Sequence, residues 1–189
     1  NDYHHVIGNL HIGSWPRSLE DLKAEQFQCI VNCTPSKHPD HAIIDQYLHL
    51  PLHDLHDQEL SDHFDKAIAF LDQHSNTLKT LVHCQAGKSR SASILIVYLM
   101  HKEGYSLYDA YGLLREKRKI MPNLGFMQQL LKYAQKEKQE DCAILARYFL
   151  DAYPTLELDE KEMTKRFNQE YKEGGNARTI LNQMLNEKN

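Results

Sequence analysis

Cysteine is scarce in this chain of 189 residues: only Cys29, Cys33, Cys84 and Cys142, with no Cys-x-x-Cys pair among them. That is too few for a disulfide scaffold of this length, and a reducing compartment, cytoplasmic or nuclear, fits such usage better. Long apolar runs are also missing. The longest, Ile94 to Met100, has seven residues, too short to span a bilayer. The opening Asn1-Asp2-Tyr3-His4-His5 has neither the basic nor the apolar segment of a secretory leader. A basic excess is absent too: the net charge is -4, which argues against nucleic acid as the main partner. Gly87-Lys88-Ser89 imitates the end of a nucleotide-binding loop but lacks the earlier glycine that opens one. No internal repeat or low-complexity tract is present.

What remains is globular material, with 41% hydrophobic and 25% charged residues. Apolar spacing switches between period two and the helical period, which predicts mixed α and β structure. Strands are expected at Val6–Ile12, Phe27–Asn32, Tyr47–Leu50 and Thr80–His83. Leu19 and Leu22 follow Ser18 in a short helix. Ser61 is expected to cap a longer one carrying Phe64, Ile68 and Leu71. From Arg90 onward the pattern is helical. Ile94, Val97 and Tyr98 form a core stripe, Gly104 ends that helix, Ser106 with Asp109 caps the next, and Pro122-Asn123 precedes a third through Phe126, Leu130 and Tyr133. Gly112 is expected to allow a close helix contact.

Composition shifts after Gln135, where the charged run from Lys136 to Asp141 reads as a solvated face or a linker. Residues 143–150, 158–171 and 177–185 follow as helices, with a turn at Gly174-Gly175-Asn176.

Chemistry concentrates in Leu81-Val82-His83-Cys84-Gln85-Ala86-Gly87-Lys88-Ser89-Arg90-Ser91. A strand passes through a short loop into a helix, so the amides of Gln85, Ala86, Gly87, Lys88 and Ser89 and the helix N-terminus surround one anion-binding concavity. Arg90 offers a planar fork for two phosphate oxygens. The field that holds a phosphate also lowers the Cys84 pKa and presents a thiolate. Cys84 can then attack phosphorus in line while Arg90 and the loop amides stabilise the equatorial oxygens. Ser91 is placed to stabilise the thiolate when it leaves again, and His83 to shape the loop through its backbone. One further group is needed, an acid for the leaving oxygen.

The pattern His83-Cys84-x-x-Gly87-x-x-Arg90-Ser91 resembles the signature of cysteine-dependent protein phosphatases. Ala86-Gly87 with Ser89-Arg90-Ser91-Ala92 is similar to the dual-specificity branch. Ile7-Gly8-Asn9-Leu10-His11-Ile12-Gly13 and Ile30-Val31-Asn32-Cys33-Thr34 resemble its first strands. Pro122-Asn123-x-Gly125-Phe126-x-x-Gln129-Leu130 resembles the start of its closing helix. The resemblance covers residues 3 to 136. It implies a protein tyrosine phosphatase-like α/β fold, a central mixed sheet of about five strands flanked by helices, with a C-terminal helical extension. It also implies a shallow pocket for phosphotyrosine and phosphoserine or phosphothreonine on protein substrates, no cofactor and no metal. Asn123 falls where the family braces its catalytic loop. The family's acid is an Asp ten residues before a helix Phe. Counting from Phe64, that position is Asp54, with Asp57 as competitor. The domains so implied are 1–137, catalytic, and 138–189, an extension.

Other readings stand beside these. Lys88 suits a lipid or phosphoinositide phosphatase, but Gln85 stands where such enzymes often carry Lys. A phospho-reader would dispense with Cys84. Cys29, Cys33 and Cys142 read as core residues. His49, His53 and His56, near Asp54 and Asp57, lack the frame of a metal site. Lys117-Arg118-Lys119 reads as a solvated helix top or a contact for acidic substrate. Trp15-Pro16 lies too early for an acid loop and reads as a turn with a packed Trp. In the tail, Tyr153-Pro154-x-Leu156, Gly175-Asn176-Ala177 and Ile180-Leu181-x-x-Met184-Leu185 are weakly similar to three-helix ubiquitin-binding modules of the CUE and UBA type. Ubiquitin or another protein is therefore a candidate partner for residues 139–189, and such an adaptor is the non-catalytic alternative.

Overall fold

The structure, a computed structural model, describes residues 2–134, 138–156 and 159–173, together with Gln183 and Asn186. It falls into two compact units, Asn1–Tyr133 and Ala134–Asn189.

The first unit is built on a five-stranded sheet. The chain enters through β1 (Tyr3–Ile7) and turns at Gly8, whose φ of +54° is left-handed, into the antiparallel β2 (Leu10–Gly13). The single strand expected over Val6–Ile12 is therefore a hairpin. Next come β3 (Cys29–Asn32), β4 (Gln46–His49) and β5 (Thr80–His83), in the sheet order β1-β2-β5-β3-β4. All pairings after the hairpin are parallel. Every residue of β3 and β5 is buried, as parallel strands covered on both faces require. The register sets His83 level with Gly13 on one side and Asn32 on the other. The residue after His83 thus emerges at the carboxyl end of the central strand, where open parallel sheets place ligands.

Five helices complete this unit: α1 (Leu19–Glu25), α2 (Phe64–His74), α3 (Arg90–Glu103), α4 (Leu107–Lys117) and α5 (Leu124–Tyr133). Helix α3 is the hub. It packs against β5, β2, α2, α4 and α5, and Ser91 through Leu99 are all buried. Ser18 and Ser106 each accept an amide hydrogen bond three residues on, at 3.1 Å, as helix caps. Gly104 ends α3 at φ +68°. Two expectations fail. Ser61 does not cap α2; it opens a 3-10 turn (Ser61–His63), and its hydroxyl donates to Gln129 Oε1 at 3.1 Å. Gly112 has no atom within 4 Å of where a Cβ would stand, so it mediates no close helix contact.

The second unit pairs α6 (Lys138–Ala152) with α7 (Glu160–Lys172) across a 3-10 turn at Pro154–Leu156. Phe149 and Phe167 stack at 5.4 Å with their rings 10° from parallel, and Arg147 meets Glu160 at 3.6 Å. The turn expected at Gly174-Gly175-Asn176 and the helix expected over 177–185 lie outside the described residues. Among the described residues, no helix is long and apolar enough to cross a membrane.

Candidate active site

Cys84 follows β5 and is 2% exposed. Two donors sit at its sulfur: the Gly87 amide lies 3.2 Å from Sγ and the Ser91 hydroxyl 3.3 Å. Burial alone pushes this thiol upward. The Ser91 hydroxyl and amide, the Arg90 charge and the Gly87 amide together outweigh it, so the Cys84 pKa is held below its ordinary value. Contrast Cys29, pushed up to about 11, and Cys33, held well above the usual thiol range, both by burial. All four cysteines are free and buried. Cys84 is the nucleophile candidate because of its neighbours, not its exposure.

The loop is held from every side. Trp15 N–H donates to Gln85 O at 3.1 Å. Gly87 has φ +68°, and a Cβ there would lie 2.5 Å from the Gly13 backbone and 2.9 Å from Arg118 Nε. Only glycine fits. Met121 N–H donates to Lys88 O at 2.8 Å, and Asn123 N–H to Ser89 Oγ at 2.9 Å. Gln85, Ala86 and Lys88 are exposed around the concavity, while Gly87 and Ser89 are buried.

Arg90 opens α3 and donates from one terminal nitrogen to Leu52 O at 3.1 Å. Its Nε is buried and has no hydrogen-bond partner among the described residues. An orphaned buried guanidinium donor beside the loop suits a phosphate oxygen. His83 sits behind the loop. Its Nδ1 is 3.2 Å from Cys84 O, burial lowers it to about 4, and it therefore stays a neutral donor near pH 7. Trp15 packs edge-on to His83 at 5.7 Å and tilted on His38 at 5.0 Å.

Asp54 is exposed, on the loop between β4 and α2, and one of its carboxylate oxygens accepts from Asn123 Nδ2 at 2.9 Å. Asn123 Oδ1 meanwhile accepts from Phe126 N–H at 2.9 Å, capping α5. A Cβ at Gly125 would fall 1.9 Å from His56 O. Gln129 Oε1 accepts from the Leu60 and Ser61 amides at 2.7 and 3.0 Å, and its Nε2 donates to Gln58 O at 2.9 Å. The start of α5 thus seats the Asp54 loop at three places and reaches the cysteine loop through Ser89. Asp57 is on the same loop and exposed.

Sequence pattern alone does not mark several contributors as site residues, among them Gly13, the Leu52 carbonyl, Gly125 and Arg118. Lys117 and Lys119 are exposed, as a solvated helix top requires, but Arg118 is half-buried against the loop. Its partners lie 31, 32, 114 and 116 residues away in sequence, and no local signal marks them. No group of three or more His, Cys, Asp or Glu among the described residues is placed to hold a metal ion.

A thiol under two donors, at the mouth of a helix and beside a guanidinium, is the arrangement that a cysteine-based phosphate site needs, here at the end of a mostly parallel sheet. Residues 10–136 match the family described as dual specificity phosphatase, catalytic domain, and the chain belongs to that family. It is 38% identical over 135 residues to dual specificity protein phosphatase Mpk3 of Drosophila melanogaster, covering 68% of this chain and 33% of that protein. It is also 38% identical over 146 residues to human dual specificity protein phosphatase 9, covering 72% of this chain and 37% of the relative. The chain therefore spans about a third of the length of those curated relatives. Among solved structures, human DUSP28 superposes with a TM-score of 0.65 at 28% identity, over 71% of this chain and 94% of that one.

Proposed function

We propose that this chain is a cysteine-dependent protein phosphatase that hydrolyses phosphotyrosine and phosphoserine or phosphothreonine in protein substrates. The observation that carries this reading is the pair of donors on Cys84 Sγ, with Arg90 opening the helix beyond. In the first step the thiolate attacks phosphorus opposite the ester oxygen, the S–P bond forms and the P–O bond breaks, and Asp54 gives its proton to the departing oxygen. The loop amides and Arg90 take up charge on the equatorial oxygens. In the second step the Asp54 carboxylate accepts a proton from water, which attacks the cysteinyl-phosphate. Phosphate is released and the Ser91 hydroxyl donates to the returning thiolate. A mechanism that starts from a free thiolate requires a reducing compartment, and we place the protein in the cytoplasm or nucleus on that ground.

Cys84→Ser is expected to abolish turnover while the protein still binds vanadate, because the amide cradle remains and the nucleophile does not. Retention of more than about a hundredth of the wild-type rate would sink the covalent mechanism. A panel of phosphopeptides and phosphoinositides read by released phosphate separates the protein from the lipid substrate class; faster turnover of phosphoinositides would overturn the protein assignment.

A further inference from the structure

The sequence groups Arg118 with two solvated lysines, yet its guanidinium is spent on backbone oxygens of the cysteine loop. Nε donates to Gly87 O at 3.0 Å and one terminal nitrogen to Ala86 O at 2.9 Å. The other terminal nitrogen donates to Asp2 O at 3.2 Å and to His4 Nδ1 at 2.9 Å. Two acceptors on the loop and two on the segment from Asp2 to His4 thus share one side chain.

The consequence lies in the peptide planes. The described chain contains no cis peptide, and a trans peptide points its C=O and N–H in opposite directions. The plane whose oxygen Arg118 holds at Ala86 is the plane whose N–H, that of Gly87, donates to Cys84 Sγ at 3.2 Å. The next plane has its oxygen, Gly87 O, on Arg118 Nε, so the Lys88 N–H is turned to the opposite side. A cation on the carbonyl also polarises the peptide and strengthens donation from its far end. Arg118 therefore grips from outside the peptide whose Gly87 amide donates to the sulfur from inside, and the peptide that follows it.

We propose that Arg118 is a positioning residue for the cysteine loop, one that acts on the Cys84 thiolate through the Ala86–Gly87 and Gly87–Lys88 peptides and ties the start of β1 to the active site. The inference rests on the thiolate reading above. The Cys84 and Arg118 charges also favour one another directly, so the test must separate the grip from the charge. Lysine does so: it keeps the charge but cannot hold two carbonyls in a fixed fork.

The experiment measures kcat/KM against pH for an activated aryl phosphate, with wild type, R118M, R118K and C84S as full chains. R118M is expected to lose about tenfold or more in kcat/KM, and its acid limb to move up by roughly one pH unit, as a weaker donor at sulfur requires. R118K is expected to recover less than half of the logarithmic loss and to keep a raised limb. A wild-type limb and rate in R118M would overturn the proposal, and so would full recovery in R118K, which would make the effect one of charge alone. Should R118M fail to fold, R118K decides: a loss of about threefold with a raised limb supports the grip, and an unmoved limb overturns it. Turnover by C84S would instead overturn the covalent reading, an outcome distinct from any of these.

Discussion

Asn123 donates its side-chain amide to the Asp54 carboxylate at 2.9 Å while its backbone amide donates to Ser89 Oγ at the same distance. One residue therefore links the acid candidate to the loop that carries the nucleophile, although 69 residues separate Asn123 from Asp54. The link is directional. An amide N–H on a carboxylate oxygen leaves the other oxygen free to carry or take a proton.

Asp54→Asn is expected to lower kcat by roughly two to four orders of magnitude on phosphopeptides, whose leaving oxygen needs a proton. The loss should shrink for an activated aryl phosphate, which departs unprotonated. Asp57→Asn should change little. Steady-state rates on both substrate types check this, and the reverse pattern would move the acid role to Asp57.

Gly125→Ala puts a methyl group 1.9 Å from His56 O in the unshifted structure, so the Asp54 loop or the start of α5 must move. The backbone of α5 itself tolerates alanine well. The expected result is a fall in kcat on phosphopeptides of about tenfold or more, with activated aryl phosphate much less affected, the same selectivity as for Asp54→Asn. An equal loss on both substrates would mean that the displacement reaches the Cys84 loop instead.

Legibility in the sequence followed distance along the chain. The loop from His83 to Ser91 is contiguous, and its strand, loop and helix could be named from local pattern alone. Gly104 and Ser106 were equally legible, because a cap is satisfied within three or four residues. The β1–β2 hairpin was not. Its two-residue turn alone would put Val6 and Leu10 on opposite faces, but the register shift between His5 and Ile7 restores parity, so Val6, Leu10 and Ile12 keep one alternation across Gly8 and read as one strand. Ser61 looked like a cap, but Gln129, 68 residues on, claims both its amide and its hydroxyl. Arg118 sat in a cationic run whose two neighbours are exposed, and only the fold reveals which of the three turns inward.

His83 gives a pH signature of stability. Burial lowers its folded value to about 4 from an ordinary 6.5, so the folded state resists protonation that the unfolded chain accepts. Its contribution is complete above the unfolded value and is lost as pH falls from there towards 4, by about 3 kcal/mol in total. His83→Gln keeps a donor but takes up no proton. Urea unfolding at pH 7 and pH 4 should show the wild type losing about 3 kcal/mol more than the variant on acidification. Equal losses would show that His83 is not the group that titrates.

A chain ended after Glu137 is expected to fold and to hydrolyse an activated aryl phosphate within about twofold of the full-length rate. Every residue with a proposed chemical role lies between Asp54 and Asn123, and the first compact unit closes at Tyr133. The family match ends at residue 136, so this cut retains all of it. Residues 138–189 keep their own contacts in the Phe149–Phe167 stack and the Arg147–Glu160 pair. Those contacts suit a separately folding module, but a core of two short helices needs a third element or a partner to be stable alone. Circular dichroism and thermal melting of the two fragments distinguish the cases. A cooperative melt for residues 138–189 would support a binding module, and NMR titration with ubiquitin would then test the partner suggested by Tyr153-Pro154. An unfolded tail fragment, with a large fall in the melting temperature of the shortened phosphatase, would instead make the tail part of the catalytic unit's core.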